Sequence, residues 1–164
     1  ILILKRLPTL LMHVSNNNMS RYRVSFYLCP VYIPMQIFKH PWVVIEKDGQ
    51  QTRYEIIHYG KGINDDTYLC IDLFEKQDTG IETWAYSKKN WKGECIKEMS
   101  GNTGSLAHRI HDFIENESKH YPYLKKYRFY PGPNSNTYVQ WIINHFPELD
   151  LTLPWSCVGK DYDK

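Results

Sequence analysis

Hydrophobic and polar residues alternate along much of the first half of the chain, and this period of two is typical of β-strands. The run RYRVSFYLC at residues 21–29 predicts one strand. Two further runs, WVVIEK and TRYEIIHYG, flank an Asp-Gly turn and predict a hairpin over residues 41–59. The run TYLCIDLF at residues 67–74 predicts another strand, whereas residues 78–92 show no clean period and receive no assignment.

Beyond Gly104 the hydrophobic period lengthens to that of an amphipathic helix. One apolar face comprises Leu106, Ile110, Phe113 and Ile114, and a second comprises Val139, Ile142, Ile143 and Phe146. Ser105 is placed to cap the first helix, and Pro147 closes the second. Apolar helical faces need a sheet to bury against, so the sequence predicts an α+β domain in which an antiparallel sheet packs against two C-terminal helices.

The chain length of 164 residues suits one domain with its own core. We therefore predict a single domain over residues 21–164, preceded by a flexible segment at residues 1–20. The leading run ILILKRLPTLLMHV is interrupted by Lys5, Arg6 and Pro8, so it falls short of the roughly 20 apolar residues of a spanning helix. We interpret it as a clipped signal or anchor remnant, or as sequence upstream of a start near Met19.

Charge and cysteine content narrow the range of partners. The chain has 20 basic and 18 acidic side chains and no long block of one sign, which argues against a nucleic-acid partner. The four cysteines lack Cys-x-x-Cys spacing, so neither a metal site nor a redox motif is predicted, and no cofactor is expected. Reduced thiols are expected in a chain of this size, and with them a cytoplasmic location.

Two histidines lie on the predicted hairpin. A three-residue turn would place His40 opposite His58, whereas another turn length shifts the partner and can send the two side chains to opposite faces. If the imidazoles share a face, one can act as a general base while the other orients it, because histidine titrates near neutral pH. The alternative is that each is a surface or hydrogen-bonded sheet histidine.

Ser135 lies in YPGPNSNTYVQWII, where prolines and a glycine impose a turn before a helix begins. A nucleophile at that place would meet the positive end of the helix dipole and free backbone N–H groups, which stabilise an oxyanion. The alternative is that Ser135, or the neighbouring Asn134 or Asn136, only caps the helix.

The segments KHPWVVI, EIIHYG and NSNTYV resemble the lecithin retinol acyltransferase group within the permuted NlpC/P60 superfamily. In that group a His-Trp strand, a second histidine on the partner strand and a cysteine at a helix start form the catalytic set. The resemblance implies a circularly permuted papain-like fold, with His40, His58 and Ser135 in the matching places. The chain departs from the pattern in having serine for the thiol, and serine is the weaker nucleophile unless a base activates it.

A longer resemblance covers most of the chain. The strings HPWVVI, RYEII, YPYLKKYRFYPGPNSNTYVQWI and LPWSCVGKDY resemble the bacterial family called domain of unknown function 3750. In that family serine is the usual residue at position 135, and related members usually have tryptophan in place of His58. This resemblance implies no established reaction.

We therefore expect a hydrolase or acyltransferase that acts on an amide or ester in a small-molecule, lipid or peptide substrate. His40 is the predicted base, Ser135 the nucleophile or oxyanion-site residue, and His58 the orienting partner. The predicted substrate-binding residues are Asn134, Asn136, Trp42 and Tyr130. The alternative is a non-catalytic ligand-binding domain that kept the groove and lost the thiol. A third possibility makes Cys157 the thiol nucleophile.

Overall fold

The computed structural model describes residues 20–31, 35–58, 67–82 and 90–162. The predicted flexible segment lies, apart from Ser20, outside these ranges, and so does the leading apolar run. In the described part of the chain, no helix is long and apolar enough to cross a membrane.

Seven strands precede two α-helices in these ranges. They are β1 (Arg21–Pro30), β2 (Lys39–Lys47), β3 (Gln50–His58), β4 (Thr67–Ile71), β5 (Thr79–Glu82), β6 (Asn90–Lys92), β7 (Glu94–Asn102), α1 (Leu106–Glu117) and α2 (Ser135–His145). Short 3-10 turns at Ser118–His120 and Pro147–Leu149 follow the two helices.

Five of the strands form one antiparallel sheet in the order β4-β3-β2-β1-β7. The predicted hairpin is present as β2 and β3. Its turn has two residues, Asp48 and Gly49, with positive φ angles of 51° and 88°, which is the conformation that Asp-Gly hairpin turns favour. Lys47 therefore pairs with Gln50 and not with the residue that a three-residue turn would select.

Both helices pack on one face of this sheet, and the expected α+β arrangement is confirmed. The core takes alternate residues of the strands, which is the period of two seen in the sequence. Its fully buried members include Val24, Phe26, Val43, Ile110, Ile114, Tyr138, Val139 and Ile142. Burying each large side chain contributes about 1.5–3 kcal/mol.

A smaller cluster covers the opposite face of the sheet near β2. Trp42 and Val44 are buried there with Cys29, and Ile81 of β5 packs against them. The indole N–H of Trp42 donates to the Gln77 carbonyl at 2.9 Å. Since β2 is covered on both faces, its residues are buried without interruption from position 40 to position 45.

Two details of the strands differ from the sequence-based expectations. The strand expected at residues 67–74 ends at Ile71, because Asp72 takes a positive φ of 51° and its carboxylate accepts from the Arg53 N–H at 2.7 Å. β7 was not predicted. It lies at the edge of the sheet, where none of its residues is buried, and so it lacks a strong apolar alternation.

Candidate functional site

The turn PGPNSNT positions the first residues of α2. Asn134 is the N-cap, and its side-chain oxygen accepts from the N–H groups of Asn136 and Thr137 at 2.8 and 3.3 Å. The Thr137 hydroxyl accepts in return from the Asn134 N–H at 3.0 Å. This reciprocal capping box satisfies the helix start without Ser135, so the alternative in which Ser135 is the cap does not describe the structure.

The Ser135 hydroxyl instead meets the imidazole of His40. Its Oγ lies 3.1 Å from His40 Nδ1, although 95 positions separate the two residues in sequence. Both residues are buried, with 3% and 5% of their surface exposed. The structure thus brings together the predicted base and the predicted nucleophile, while their catalytic roles stay predictions.

The other imidazole nitrogen, His40 Nε2, lies 2.8 Å from Glu55 Oε2. Glu55 is on β3, which is paired with β2, so two adjacent strands fix the His40–Glu55 contact. A carboxylate only accepts hydrogen bonds, which places the imidazole proton on Nε2 and leaves Nδ1 to accept from the Ser135 hydroxyl. This is the tautomer that a general base needs.

Arg53 holds the Glu55 carboxylate from its other side. Its Nη2 donates to Oε2 at 2.9 Å and its Nε lies 2.7 Å from Oε1, and both side chains are fully buried. Burial raises the pKa of Glu55, but the contacts with His40 and Arg53 outweigh burial and hold that pKa below its ordinary value. Glu55 is therefore a carboxylate at neutral pH.

Arg53 is itself enclosed by aromatic rings and carbonyl groups. Its guanidinium carbon lies 4.1 Å from the centre of the Trp42 ring and 4.7 Å from that of Phe74, and its Nη1 donates to the Thr79 carbonyl. Trp42 is fully buried and stacks on Tyr27 at 5.4 Å between centroids. The predicted substrate-binding Trp42 thus supports Arg53 in the closed structure and lines no open surface.

His58 does not join this group. With the two-residue turn, His58 lies on the same face of the sheet as Tyr54 and Ile56, which face the helices. His40 lies on the opposite face, with Trp42. The His58 ring stacks on Tyr127 with 5.0 Å between centroids. The sequence analysis expected His58 to contact and orient His40. In the structure Glu55 makes that contact, with His40 Nε2.

Glu55 and Arg53 were missed by the sequence analysis. Both lie within RYEII, and their two-residue spacing in a strand puts them on the same face. On an alternating strand such residues normally face solvent. No local pattern indicates that β5 and Trp42 cover that face, so the buried ion pair could not be distinguished from an exposed one.

The C-terminal segment closes over the start of α2. The amides of Asn134 and Asn136 donate to the Val158 carbonyl at 3.0 and 2.8 Å, and the Thr137 hydroxyl donates to the Gly159 carbonyl at 2.6 Å. Gly159 has a φ of +86°, and a Cβ at that position would overlap the Asn134 side chain. The two predicted binding residues Asn134 and Asn136 therefore hold the C-terminal segment in this structure.

The C-terminal segment also lines a groove of about 870 Å³. Val158 and Gly159 are part of its lining, and Tyr130 and Trp155, each 76% exposed, contribute two aromatic rings. Cys157 also lines it, but burial raises the pKa of that thiol to about 12. Cys157 therefore has none of the low-pKa character of a catalytic thiol.

Fold and site together define an α+β protein with a five-stranded antiparallel sheet and a buried serine–histidine–glutamate arrangement at a helix start. A family model described as protein of unknown function (DUF3750) matches residues 22–162. The chain belongs to this family. Comparison with curated proteins gives no match, and neither does comparison with solved structures.

Proposed function

We propose that this protein is a serine hydrolase or acyltransferase that cleaves an amide or ester, with Ser135 as nucleophile, His40 as general base and Glu55 as the residue that orients the base. The observation that carries the proposal is the continuous chain of contacts from Ser135 Oγ through His40 to Glu55, at 3.1 and 2.8 Å. A nucleophile within hydrogen-bond reach of a base that a third group orients is the signature of covalent catalysis.

In the proposed first step, Ser135 Oγ attacks the substrate carbonyl carbon and its proton moves to His40 Nδ1. The resulting imidazolium is stabilised by the Glu55 carboxylate, which Arg53 keeps charged. His40 then gives this proton to the departing amine or alcohol, and an acyl ester remains on Ser135. Water, or a second alcohol or amine, then attacks the ester while His40 accepts its proton. His40 gives this proton to Ser135 Oγ as the acyl–Oγ bond breaks, which releases the acid, ester or amide and restores Ser135.

Oxyanion stabilisation at this site relies on the helix dipole more than on free amides. The N–H groups of Asn136 and Thr137 already donate to the Asn134 side chain, which corrects the expectation of free donors at the helix start. The positive end of α2 still lies beside Ser135 and contributes about 0.3–1 kcal/mol toward a developing negative charge. The Ser135 amide is the further donor that we propose.

The groove is the proposed approach for the substrate. Val158 and Gly159 line the groove and accept hydrogen bonds from the residues that flank Ser135, so a shift of this segment is the proposed route from the groove to the nucleophile. The Asn136 Oδ1 atom is buried and has no hydrogen-bond partner among the described residues. A buried acceptor of this kind favours a ligand with an N–H or O–H donor, such as a peptide-like amide.

We also propose the circularly permuted papain-like classification of the NlpC/P60 type. The support is the chain order, in which a histidine on an early strand meets a nucleophile at the start of a later helix. From that classification we propose a small-molecule, lipid or peptide substrate. The near balance of basic and acidic side chains supports the proposal that nucleic acid is not a partner.

A fluorophosphonate probe followed by peptide mapping tests the nucleophile directly. We expect label on Ser135 in the wild-type protein and none in Ser135→Ala. Label should fall strongly in His40→Ala, because the hydroxyl then lacks its base. A protein that takes no label at Ser135 between pH 6 and 9 would contradict the hydrolase assignment.

Ser135→Cys separates a working site from an inactive one without knowledge of the substrate. The helix start and the adjacent imidazole should lower the thiol pKa, so alkylation by iodoacetamide at pH 7 should be at least about tenfold faster than for an ordinary buried thiol. The matched control is Ser118→Cys, because Ser118 is equally buried but bonds to the Tyr138 hydroxyl at 2.7 Å and not to an imidazole. Equal alkylation rates at positions 135 and 118, unaffected by His40→Ala, would contradict the catalytic role proposed for Ser135.

The second candidate is a non-catalytic ligand-binding domain, and the groove favours it. Two exposed rings, Tyr130 and Trp155, are available for stacking while Ser135 is almost fully enclosed. Thermal-shift screening of separate lipid, sugar and peptide panels distinguishes the candidates. Ligands that stabilise the wild type and fail with Trp155→Ala, in a protein without probe labelling, would support binding alone.

A further inference from the structure

The exposed side of α1 carries a second group of ionisable side chains, distinct from the Ser135 site. His111, Asp112 and Glu115 each offer one ligand atom, and these atoms all lie within 4.8 Å of one another. His111 Nδ1 is 3.3 Å from Asp112 Oδ1 and 3.9 Å from Glu115 Oε2. One imidazole nitrogen and two carboxylates therefore converge on a single point at the helix surface.

This spacing is close to what a metal ion requires. Zinc binds nitrogen and oxygen donors at about 2.0–2.2 Å, so two donors of a tetrahedral site are about 3.4 Å apart. The His111–Asp112 separation of 3.3 Å meets that value. The His111–Glu115 separation of 3.9 Å exceeds it, and all three ligand atoms lie within 4.8 Å of one another, so the exposed carboxylates have to move closer when an ion binds.

The imidazole of His111 is held in place before any ligand arrives. Its side chain is only 6% exposed, yet Nδ1 is directed at the two carboxylates, whose side chains are 49% and 58% exposed. Tyr22 packs against the ring edge with 5.1 Å between centroids. A buried ring with its nitrogen at the surface loses little conformational freedom when it binds an ion.

His108 supports the same carboxylate from the preceding turn of α1. Its Nδ1 accepts from the Gly104 N–H at 2.9 Å, which places the imidazole proton on Nε2. Nε2 lies 2.9 Å from Asp112 Oδ2, so His108 donates to the oxygen of Asp112 that does not face His111. A hydrogen bond that orients a ligating carboxylate in this way is typical of metal sites.

We propose that His111 Nδ1, Asp112 and Glu115 bind a divalent transition-metal ion, with zinc as the best match, and that His108 orients Asp112. The imidazole favours zinc over magnesium or calcium, which prefer oxygen donors alone. Three protein ligands on an exposed helix leave a coordination position to water, so the site is an open one. This proposal does not depend on the function proposed for Ser135, and it replaces the expectation of no metal site.

Isothermal titration of the full chain with zinc chloride tests the site, in a Cys95→Ser background because Cys95 is an exposed thiol. We expect one zinc per chain, at least tenfold weaker binding in Asp112→Asn and in Glu115→Gln, and unchanged binding in Glu117→Gln, a matched change on the exposed side of the same helix. His108→Ala should weaken binding about tenfold, the usual effect of losing an orienting partner. Magnesium chloride at 100-fold excess should not displace the zinc.

Asp112 and Glu115 are partly exposed, so their amide variants keep the fold, and circular dichroism verifies this. Zinc binding that is absent in the Cys95→Ser protein, or that is equally strong in Asp112→Asn, Glu115→Gln and Glu117→Gln made in that background, would overturn the proposal. Saturation by magnesium with the same affinity would also overturn the zinc assignment.

Discussion

Glu55→Gln is the change that tests the buried charge network most directly. The substitution keeps the shape of the side chain but leaves the Arg53 cation without its anionic partner, and both positions are fully buried. The amide N–H groups of the introduced glutamine also face N–H donors on Arg53 or on His40, so these hydrogen bonds are lost. Removing one member of a buried ion pair costs about 3–5 kcal/mol, which corresponds to a loss of roughly 6–20 °C in melting temperature for a chain of this size.

Urea unfolding at pH 7 measures this loss. Glu46→Gln is the control, because Glu46 also pairs with an arginine but that partner, Arg23, is 43% exposed and lies 3.6 Å away. The control should lose less than about 1 kcal/mol. In a double-mutant cycle, Arg53→Met combined with Glu55→Gln should cost about 0.5–3 kcal/mol less than the sum of the single changes. A Glu55→Gln loss no larger than the control, or strict additivity, would refute the reasoning.

The same pair predicts a dependence on pH. Because the pKa of Glu55 is held below its ordinary value of 4.5, the stabilisation from its charge is fully present above pH 4.5 and is lost as the pH falls through the lower native pKa. The stability difference between the wild type and Glu55→Gln should therefore shrink as the pH falls below 4.5. A difference that grows on acidification would contradict this sign.

Three further predictions concern the frame around the site. Gly159→Ala should cost about 2 kcal/mol or more in urea unfolding, because the added Cβ overlaps Asn134 and the φ angle is unfavourable for alanine. Gly49→Ala has a similar φ angle but open space around the Cβ, so it should cost about 1 kcal/mol. Equal losses would contradict the close approach of Gly159 to Asn134. Burial raises the pKa of Cys29 to about 11 and that of Cys157 to about 12. Iodoacetamide at pH 8 should therefore label the exposed Cys95 and leave Cys29 and Cys157 unlabelled, as measured by mass spectrometry. Early label on Cys157 would show that the C-terminal segment opens. Ser105→Ala should lower stability by about 1 kcal/mol, because the Ser105 hydroxyl caps α1 by accepting from the His108 N–H at 3.2 Å; an unchanged urea midpoint would rule out that contribution.

The local elements of the fold could be predicted from the sequence because local signals specify them. The Asp-Gly turn, the alternation in β1 and the helical faces after Gly104 each depend on residues close together in the chain. The edge strand β7 could not be predicted, since a strand exposed along one side needs no apolar alternation.

The site was predicted in part, for a similar reason. His40 and Ser135 were indicated by motifs, and the structure brings them together. The role of Glu55 depended on the length of one turn, because a two-residue turn in place of a three-residue turn moves His58 to the helix-facing side and places Glu55 beside His40. Sequence alone leaves that one-residue difference open.

The three residues of the proposed site also differ in how far apart they lie along the chain. His40 and Glu55 are 15 positions apart within one hairpin, whereas Ser135 is 95 positions from His40. Closing the longer loop costs about 1.6 kcal/mol more in chain entropy, so we expect the hairpin pair to form first and the serine to join it only when α2 docks on the sheet. A partly folded chain would then carry an oriented base with no nucleophile beside it. Reactivity at position 135 would therefore appear only when α2 docks, and the rate of its appearance would measure the rate of docking.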